Sequence, residues 1–261
     1  MLLRRVIDHV RKQEWTAIAI DFLIVVLGVF VATQVADWNE TRKNRVRANG
    51  YAERLLDDLR FNAWQVDYMI AYNVEVLKNA GLAAGALTGD APLPDEDLLV
   101  SAYRASQYLY YGTRRSTYDE MVATGDIGLL SDQLLRETAL VFYADPTSGN
   151  TTEEGRTSEY RRQFRRTVPA PVQRALLKDC GDIVIEPGDY EGIVGSIDYP
   201  CTLDLPAPVI ADTAARLRAS PELLSALQLR FGDIETSVLN LQQGTPGLLE
   251  DLHAVAERKD P

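Results

Sequence analysis

Histidine and cysteine are the scarce residues of this 261-residue chain, two of each, with methionine and tryptophan at three apiece. The histidines are His9 and His253; the cysteines, Cys180 and Cys201, follow no CxxC or other metal-ligand spacing. HExxH, GxSxG, a Walker loop and GxGxxG are all missing. Asp57-Asp58 and Asp95-Glu96-Asp97 are acidic clusters, but neither follows an EF-hand pattern. With 38 acids present, any one carboxylate pair reads better as solvated surface or a helix cap than as an acid–base couple. No catalytic, cofactor-binding or metal-binding residue is therefore expected, and the chain is not read as an enzyme.

Positive charge is also short. Lys and Arg number 27 against 38 Asp and Glu, a net of −11. The first 36 residues hold four bases and three acids, so the remainder carries 23 bases, 35 acids and a net of −12. Such a surface repels phosphate backbones, which argues against nucleic-acid binding. Repeats of 20 to 50 residues and low-complexity segments are absent as well.

One long apolar run is present. Thr16 to Ala36, TAIAIDFLIVVLGVFVATQVA, contains a single ionisable group, Asp21. At about 1.5 Å per residue these residues cover roughly 30 Å as a helix, the thickness of a bilayer core. Trp15 and Trp38 flank it, where amphipathic rings prefer the headgroup region. The expectation is a transmembrane helix over 15–38.

Residues 1–14, MLLRRVIDHVRKQE, set Leu2, Leu3, Val6, Ile7 and Val10 at helical spacing beside Arg4, Arg5, Arg11 and Lys12. That is a basic amphipathic leader suited to an anionic cytoplasmic leaflet. A signal peptide shares this layout, but the span has full length and no small-x-small cleavage site follows. Four bases precede the span and four follow it (Arg42, Lys43, Arg45, Arg47), so positive charge does not orient it. The short basic leader and the cysteine pair both favour a cytoplasmic N-terminus and a large domain outside. If Cys180 and Cys201 pair, the closed loop contributes about 3 kcal/mol by the chain-entropy model; two unrelated buried thiols are the alternative.

Within the span, Ala17, Asp21, Gly28 and Ala32 fall within about 60° of one another at 100° per residue. Gly28 and Ala32 form a small-xxx-small pair that admits a close neighbour, and Asp21 on the same face is costly to leave against lipid. The face suits a partner helix; the competing reading is that Asp21 reaches the interface and the small residues are incidental. One span forms no pore by itself.

The leader and span, with WTAIAIDFLIVVLGVFVATQVADWNE, resemble an uncharacterised family of bacterial single-pass membrane proteins known only as a domain of unknown function. The shared features are an acidic residue early in the span, an IVVLGVF-like core and the closing Trp38-Asn39-Glu40. A second likeness runs from Ser116-Thr117-Tyr118-Asp119-Glu120-Met121 through Gly125-Asp126-Ile127-Gly128-Leu129-Leu130, then a leucine helix ending in Phe142-Tyr143. The resemblance implies a bacterial inner-membrane protein with a helical extramembrane domain, and it carries over no catalytic residue.

Past the span, Glu40 to Ala80 lacks proline and has only Gly50; Leu55, Leu59, Val66, Ile70 and Leu77 hold a helical stripe. The pattern predicts that the helix continues over 39–80 with Gly81 as its cap, and that 81–94 is a loop. Helices are expected at 95–110, from a Ser116 cap to about 124, from a Ser131 cap to Asp145-Pro146, and near 151–167 up to Pro169 and Pro171. More follow at 209–219, 221–243 and 247–258. Residues 180–208 change character: Ile183-Val184-Ile185 and Ile193-Val194 are β-like and separated by Pro187-Gly188-Asp189. They read as a stapled loop or small hairpin projecting from the extracytoplasmic domain of 81–261. The fold class is mainly α, an anchor helix leading into an antiparallel helical bundle.

Two clusters stand out. Tyr103, Tyr108, Tyr110, Tyr111 and Tyr118 crowd one region and offer a possible ligand or partner surface, against plain packing between helices. Arg161, Arg162, Arg165 and Arg166 make like-charged i,i+4 pairs that need acids or an anionic partner; Glu153, Glu154 and Glu159 are the local candidates. The function expected is an accessory or scaffolding subunit of an inner-membrane complex, its partners lipid and another membrane protein or a further copy. A ligand-sensing extracytoplasmic bundle is the second reading, and an envelope enzyme without a recognisable motif the third.

Overall fold

The computed structural model describes residues 15–110 and 112–258. The 1–14 leader with His9, and Tyr111, lie outside them. One helix dominates: α1, Trp15–Thr88, 74 residues without a break, about 110 Å at 1.5 Å per residue. No proline interrupts it, so no donor is lost from the ladder along its whole length.

The helix does not stop at Gly81. Leu82, Ala83, Ala84, Ala86 and Leu87 are strong helix formers, and they outweigh the ~1 kcal/mol that a glycine inside a helix costs. Gly81 is a packing position: a Cβ there would stand 3.6 Å from the Phe231 ring. The chain turns at Gly89, φ 86°, a conformation that favours glycine.

Ten shorter helices fold back on α1. They are α2 (Asp95–Ala105), α3 (Ser116–Thr124), α4 (Gln133–Ala144), α5 (Thr147–Thr157), α6 (Glu159–Thr167), α7 (Ala170–Cys180), α8 (Gly192–Ile197), α9 (Ala207–Arg218), α10 (Pro221–Gln243) and α11 (Leu248–Ala256). A 3₁₀ turn spans Asp126–Leu129, and no strand occurs among the described residues. The ends shift from expectation where local chemistry decides them. α2 closes at Ala105, because Ser106 turns its hydroxyl back onto the Tyr103 carbonyl (2.6 Å). Arg115 holds the cap position ahead of α3, so Ser116 is its first residue. Asp132 caps α4, its carboxylate accepting from the Leu135 amide at 3.0 Å. The expected 151–167 helix is two, because Ser158 caps a new start by accepting from the Arg161 amide. Beyond Pro169 a further helix, α7, begins with proline in its first turn.

Two apolar cores stack along α1. The one nearer the span joins Tyr51, Leu55, Leu59 and Val66 to Met121, Leu135, Phe142, Tyr143, Leu252 and Val255. The farther one gathers Trp64, Tyr68, Tyr72 and Val76 with residues of α2, α6, α7, α9 and α10. A run of aromatics three and four residues apart along α1 marks the handover, ring centroids 6.0, 5.5 and 6.3 Å apart from Phe61 to Tyr72.

Cys180 and Cys201 form a disulfide. The segment it closes is the expected stapled loop, exposed over 182–184 and 186–191, but it contains no strand, and its second half forms a helix that packs down. Ile193 and Ile197 lie on one side of α8 and are buried with Leu203 in the far core. Arg104 donates to the Tyr199 carbonyl (2.7 Å), Tyr72 to Asp182 (2.8 Å), Lys78 to Asp198 (2.9 Å), and Glu96 accepts from the Leu203 amide (2.6 Å). Short apolar runs do not distinguish strand from helix by periodicity, and burial of one side settled it here as helix.

Candidate functional site

The N-terminal part of α1 is long and apolar enough to cross a membrane, and the apolar window is nowhere buried within the chain. Trp15 and Trp38, both largely exposed, stand about 35 Å apart along the axis. Asp21, Gly28 and Ala32 are exposed, and nothing lies within 4 Å of the Cβ that Gly28 lacks. Ala17 sits in the same helix.

Extending the 100° step along a straight helix sets Asn39, Val46, Gly50, Glu53 and Asp57 on the Asp21 side, within about 60° of it. All five are exposed. Leu55, Leu59 and Val66, buried in the near core, fall about 160° or more away from Asp21. The Asp21 side of the span thus continues as the outer side of the near half of the body, up to Asp57. Arg47 and Arg54 reach sideways from it to Asp126 (3.4 Å) and Glu120 (3.0 Å).

The tyrosines do not share a surface. Tyr103 is buried in the far core. Tyr118 stacks on Tyr143 at 4.5 Å against the near core. Tyr108 lies under the Arg161 guanidinium at 4.8 Å, and Tyr110 is exposed.

Two hollows flank the near core, and neither was visible as a motif. A cleft of about 740 Å³ holds Asp67, His253, Arg114, Phe61, Tyr190 and Glu257 on its walls. His253 Nε2 lies 3.0 Å from both Asp67 carboxylate oxygens. Burial raises the Asp67 carboxyl, and the charge and hydrogen bond of His253 pull it part of the way back. Burial also raises Tyr190, with the fields of Asp67 and Glu257 adding to it. Arg114 stacks over Phe61 at 3.8 Å. Its backbone is fixed by Asn62, which accepts from the Arg114 amide (3.0 Å) and donates to its carbonyl (2.8 Å). A His–Asp pair at an open cleft can hold or pass a proton, but no Ser, Thr or Cys lines this one among the described residues. Asp67 and His253 lie 186 residues apart, so only the fold brings them together.

The second hollow, about 330 Å³, lies where α4, α5, α10 and α11 meet, with Val66, Phe142, Leu241 and Leu252 as apolar wall. Asp145 closes one side, accepting from the Thr147 amide (2.7 Å) and the Thr245 hydroxyl (2.5 Å). Burial pushes its carboxyl up, but these bonds outweigh burial and hold it below the ordinary range.

The model of a family of unknown function, DUF6090, matches residues 21–145. That is a little under half of the chain. The match runs from Asp21 through the exposed part of α1 to the end of α4, and so takes in the near core except for α11. It agrees with the resemblance to an uncharacterised family and assigns no activity. No curated protein and no solved structure matches the chain.

Proposed function

We propose that the protein is a single-pass, membrane-anchored interaction protein, an accessory or scaffolding subunit of a complex in a bacterial inner membrane. One observation carries this reading: Asp21, Gly28 and Ala32 share one uncovered side of an apolar helix that nothing else among the described residues packs against. A carboxylate in a span is costly against lipid and relieved by a partner, and small residues let that partner approach. The basic leader would rest on the cytoplasmic leaflet, and the Cys180–Cys201 disulfide suits an oxidising compartment for the body. Lipid and a second membrane helix, from another protein or another copy, are the implied partners.

Extraction in a mild detergent, followed by sizing and identification of what stays bound, tests the reading. A stoichiometric membrane partner or homo-oligomer that is lost in Asp21→Leu is expected. A monomer that behaves identically with and without Asp21 would refute it.

A further inference from the structure

In a chain of net charge −11, one hollow is lined by three arginines and no acid. It lies between α6 and α7 in the far half of the body, holds about 360 Å³, and presents Arg161, Arg165 and Arg174. Carboxylates answer neighbouring arginines but not these. Arg156 pairs with Glu153 and Arg162 with Glu159, both at 2.7 Å, while Glu154 bonds Ser237 at 2.9 Å. Among the described residues Arg165 and Arg174 have no ion pair and no side-chain hydrogen bond. Arg161 donates to the Ser106 carbonyl (2.7 Å) and stacks on Tyr108.

Arg161 and Arg165 stand one turn apart on the same side of α6, an arrangement that repels unless an anion intervenes. Burial, then the charge of Arg165, pulls Arg161 below its ordinary pKa; a guanidinium still stays protonated at neutral pH. Asp182 sends its field to Arg161 and Tyr103, but it bonds Tyr72 and does not line the hollow. Tyr103 supplies a second, independent sign. It is 6 % exposed and lines the hollow, yet its hydroxyl has no hydrogen-bond partner among the described residues. That hydroxyl is open to the hollow and not sealed in the interior, so it is free to donate to whatever occupies the space. Phe164 and Leu177 complete the wall with apolar surface.

We propose that this hollow binds a small dianion, a phosphate monoester or a dicarboxylate, with the guanidinium forks on its oxygens and the Tyr103 hydroxyl donating to it. Two charges suit the site better than one, because three arginines line a single hollow and bidentate forks match phosphate and carboxylate oxygens alike. The site stands apart from the membrane face and needs no partner span.

Calorimetric titration of the full chain in detergent, at physiological salt, tests this with phenyl phosphate, succinate and acetate. At least one of the two dianions should bind with Kd below about 1 mM, acetate at least about tenfold more weakly. Which dianion binds identifies the ligand class. The double variant Arg165→Gln/Arg174→Gln should lose at least about tenfold in affinity for it. Both positions are exposed, so the fold should survive. Without ligand, Arg165→Gln should keep or raise the melting temperature, because it removes a repulsion. No binding of either dianion, unchanged binding in the double variant, or a melting temperature lowered by Arg165→Gln would each overturn the proposal.

Discussion

Asn62 shows how much can rest on one side chain that no motif announces. It is fully buried and ties α1 to the strand-like stretch ahead of α3, bonding the Arg114 amide and carbonyl and the Tyr143 hydroxyl (3.2 Å). Asn62→Ala leaves the Arg114 N–H without its partner at a part-buried junction and removes the bond to the Tyr143 hydroxyl in the interior, and an unmade bond of this kind costs more than a made one contributes. A loss of roughly 2–3 kcal/mol in denaturant unfolding is expected; a loss too small to measure would mean water replaces the amide. Asp182 makes a prediction about pH. The residue is exposed at the surface, but the loss of water around its carboxyl beside Tyr72 raises the group above the ordinary 3.8, more than the Tyr72 bond and the charges of Arg104 and Arg161 lower it. An acid with a raised folded pKa favours the fold while protonated, and that advantage is lost as pH rises through the raised value. Asp182→Asn keeps an acceptor for Tyr72 without the charge. The variant should therefore be more stable than the parent at about pH 7, the difference closing as pH falls to about 3.8 and below. Equal stability across that range would show that the neighbouring arginines fully compensate for the lost water.

At the scale of elements, much was legible and the failures have causes. The long apolar helix at the start, the stripe of Leu55, Leu59 and Val66, and helix α10 with Pro221 at its start follow from hydropathy, periodicity and capping chemistry, and the structure shows each as a helix or a buried stripe. The end of α1 did not follow, because Gly81 looks like a stop signal and acts as a place of close approach to Phe231. Ile193 and Val194 suggested a strand, since two or three apolar residues fit either period; only contact with Tyr68 and the far core decides for α8. The hollows were legible only in part. Asp67 and His253 come from helices that sequence spacing does not relate, whereas Arg161 and Arg165 stood out as a like-charged pair and only the addition of Arg174 from the next helix was hidden. Gly155 is likewise silent in the sequence. A Cβ there would meet Tyr108 Cβ at 2.6 Å and Arg230 Nη2 at 3.3 Å, so α5 crosses the chain where only glycine fits. Gly155→Ala gains about 1 kcal/mol in helix propensity but forces that contact apart, at a cost of about 1–3 kcal/mol. The melting temperature should fall. A rise would mean that the Tyr108 segment gives way freely.

For the whole molecule, the consequence lies in α1 being one piece. A flexible linker would leave the span and the body to rotate independently, whereas an unbroken helix sets the azimuth of each against the other. The Asp21 side of the span and the exposed side at Asn39, Val46, Gly50, Glu53 and Asp57 then form a single line, turned away from the near core and ending where Phe61, Trp64 and Tyr68 on that same side enter the far core. A partner helix seated on Asp21 could follow that line as far as Asp57 before meeting the far half of the body. Insertions into the stalk test this directly, because residues 40–46, exposed except for the half-buried Asn44, belong to neither core. One alanine inserted after Asn44 turns the span by about 100° against the body, whereas four turn it by about 40° and lengthen the stalk by about 6 Å. If the partner grips both the span and the outer side of the body, the single insertion should abolish co-extraction and the fourfold insertion should largely restore it. Melting of the body should be the same in both. Equal partner recovery from the two would show that the span alone is gripped, with α1 serving only as a tether of fixed length.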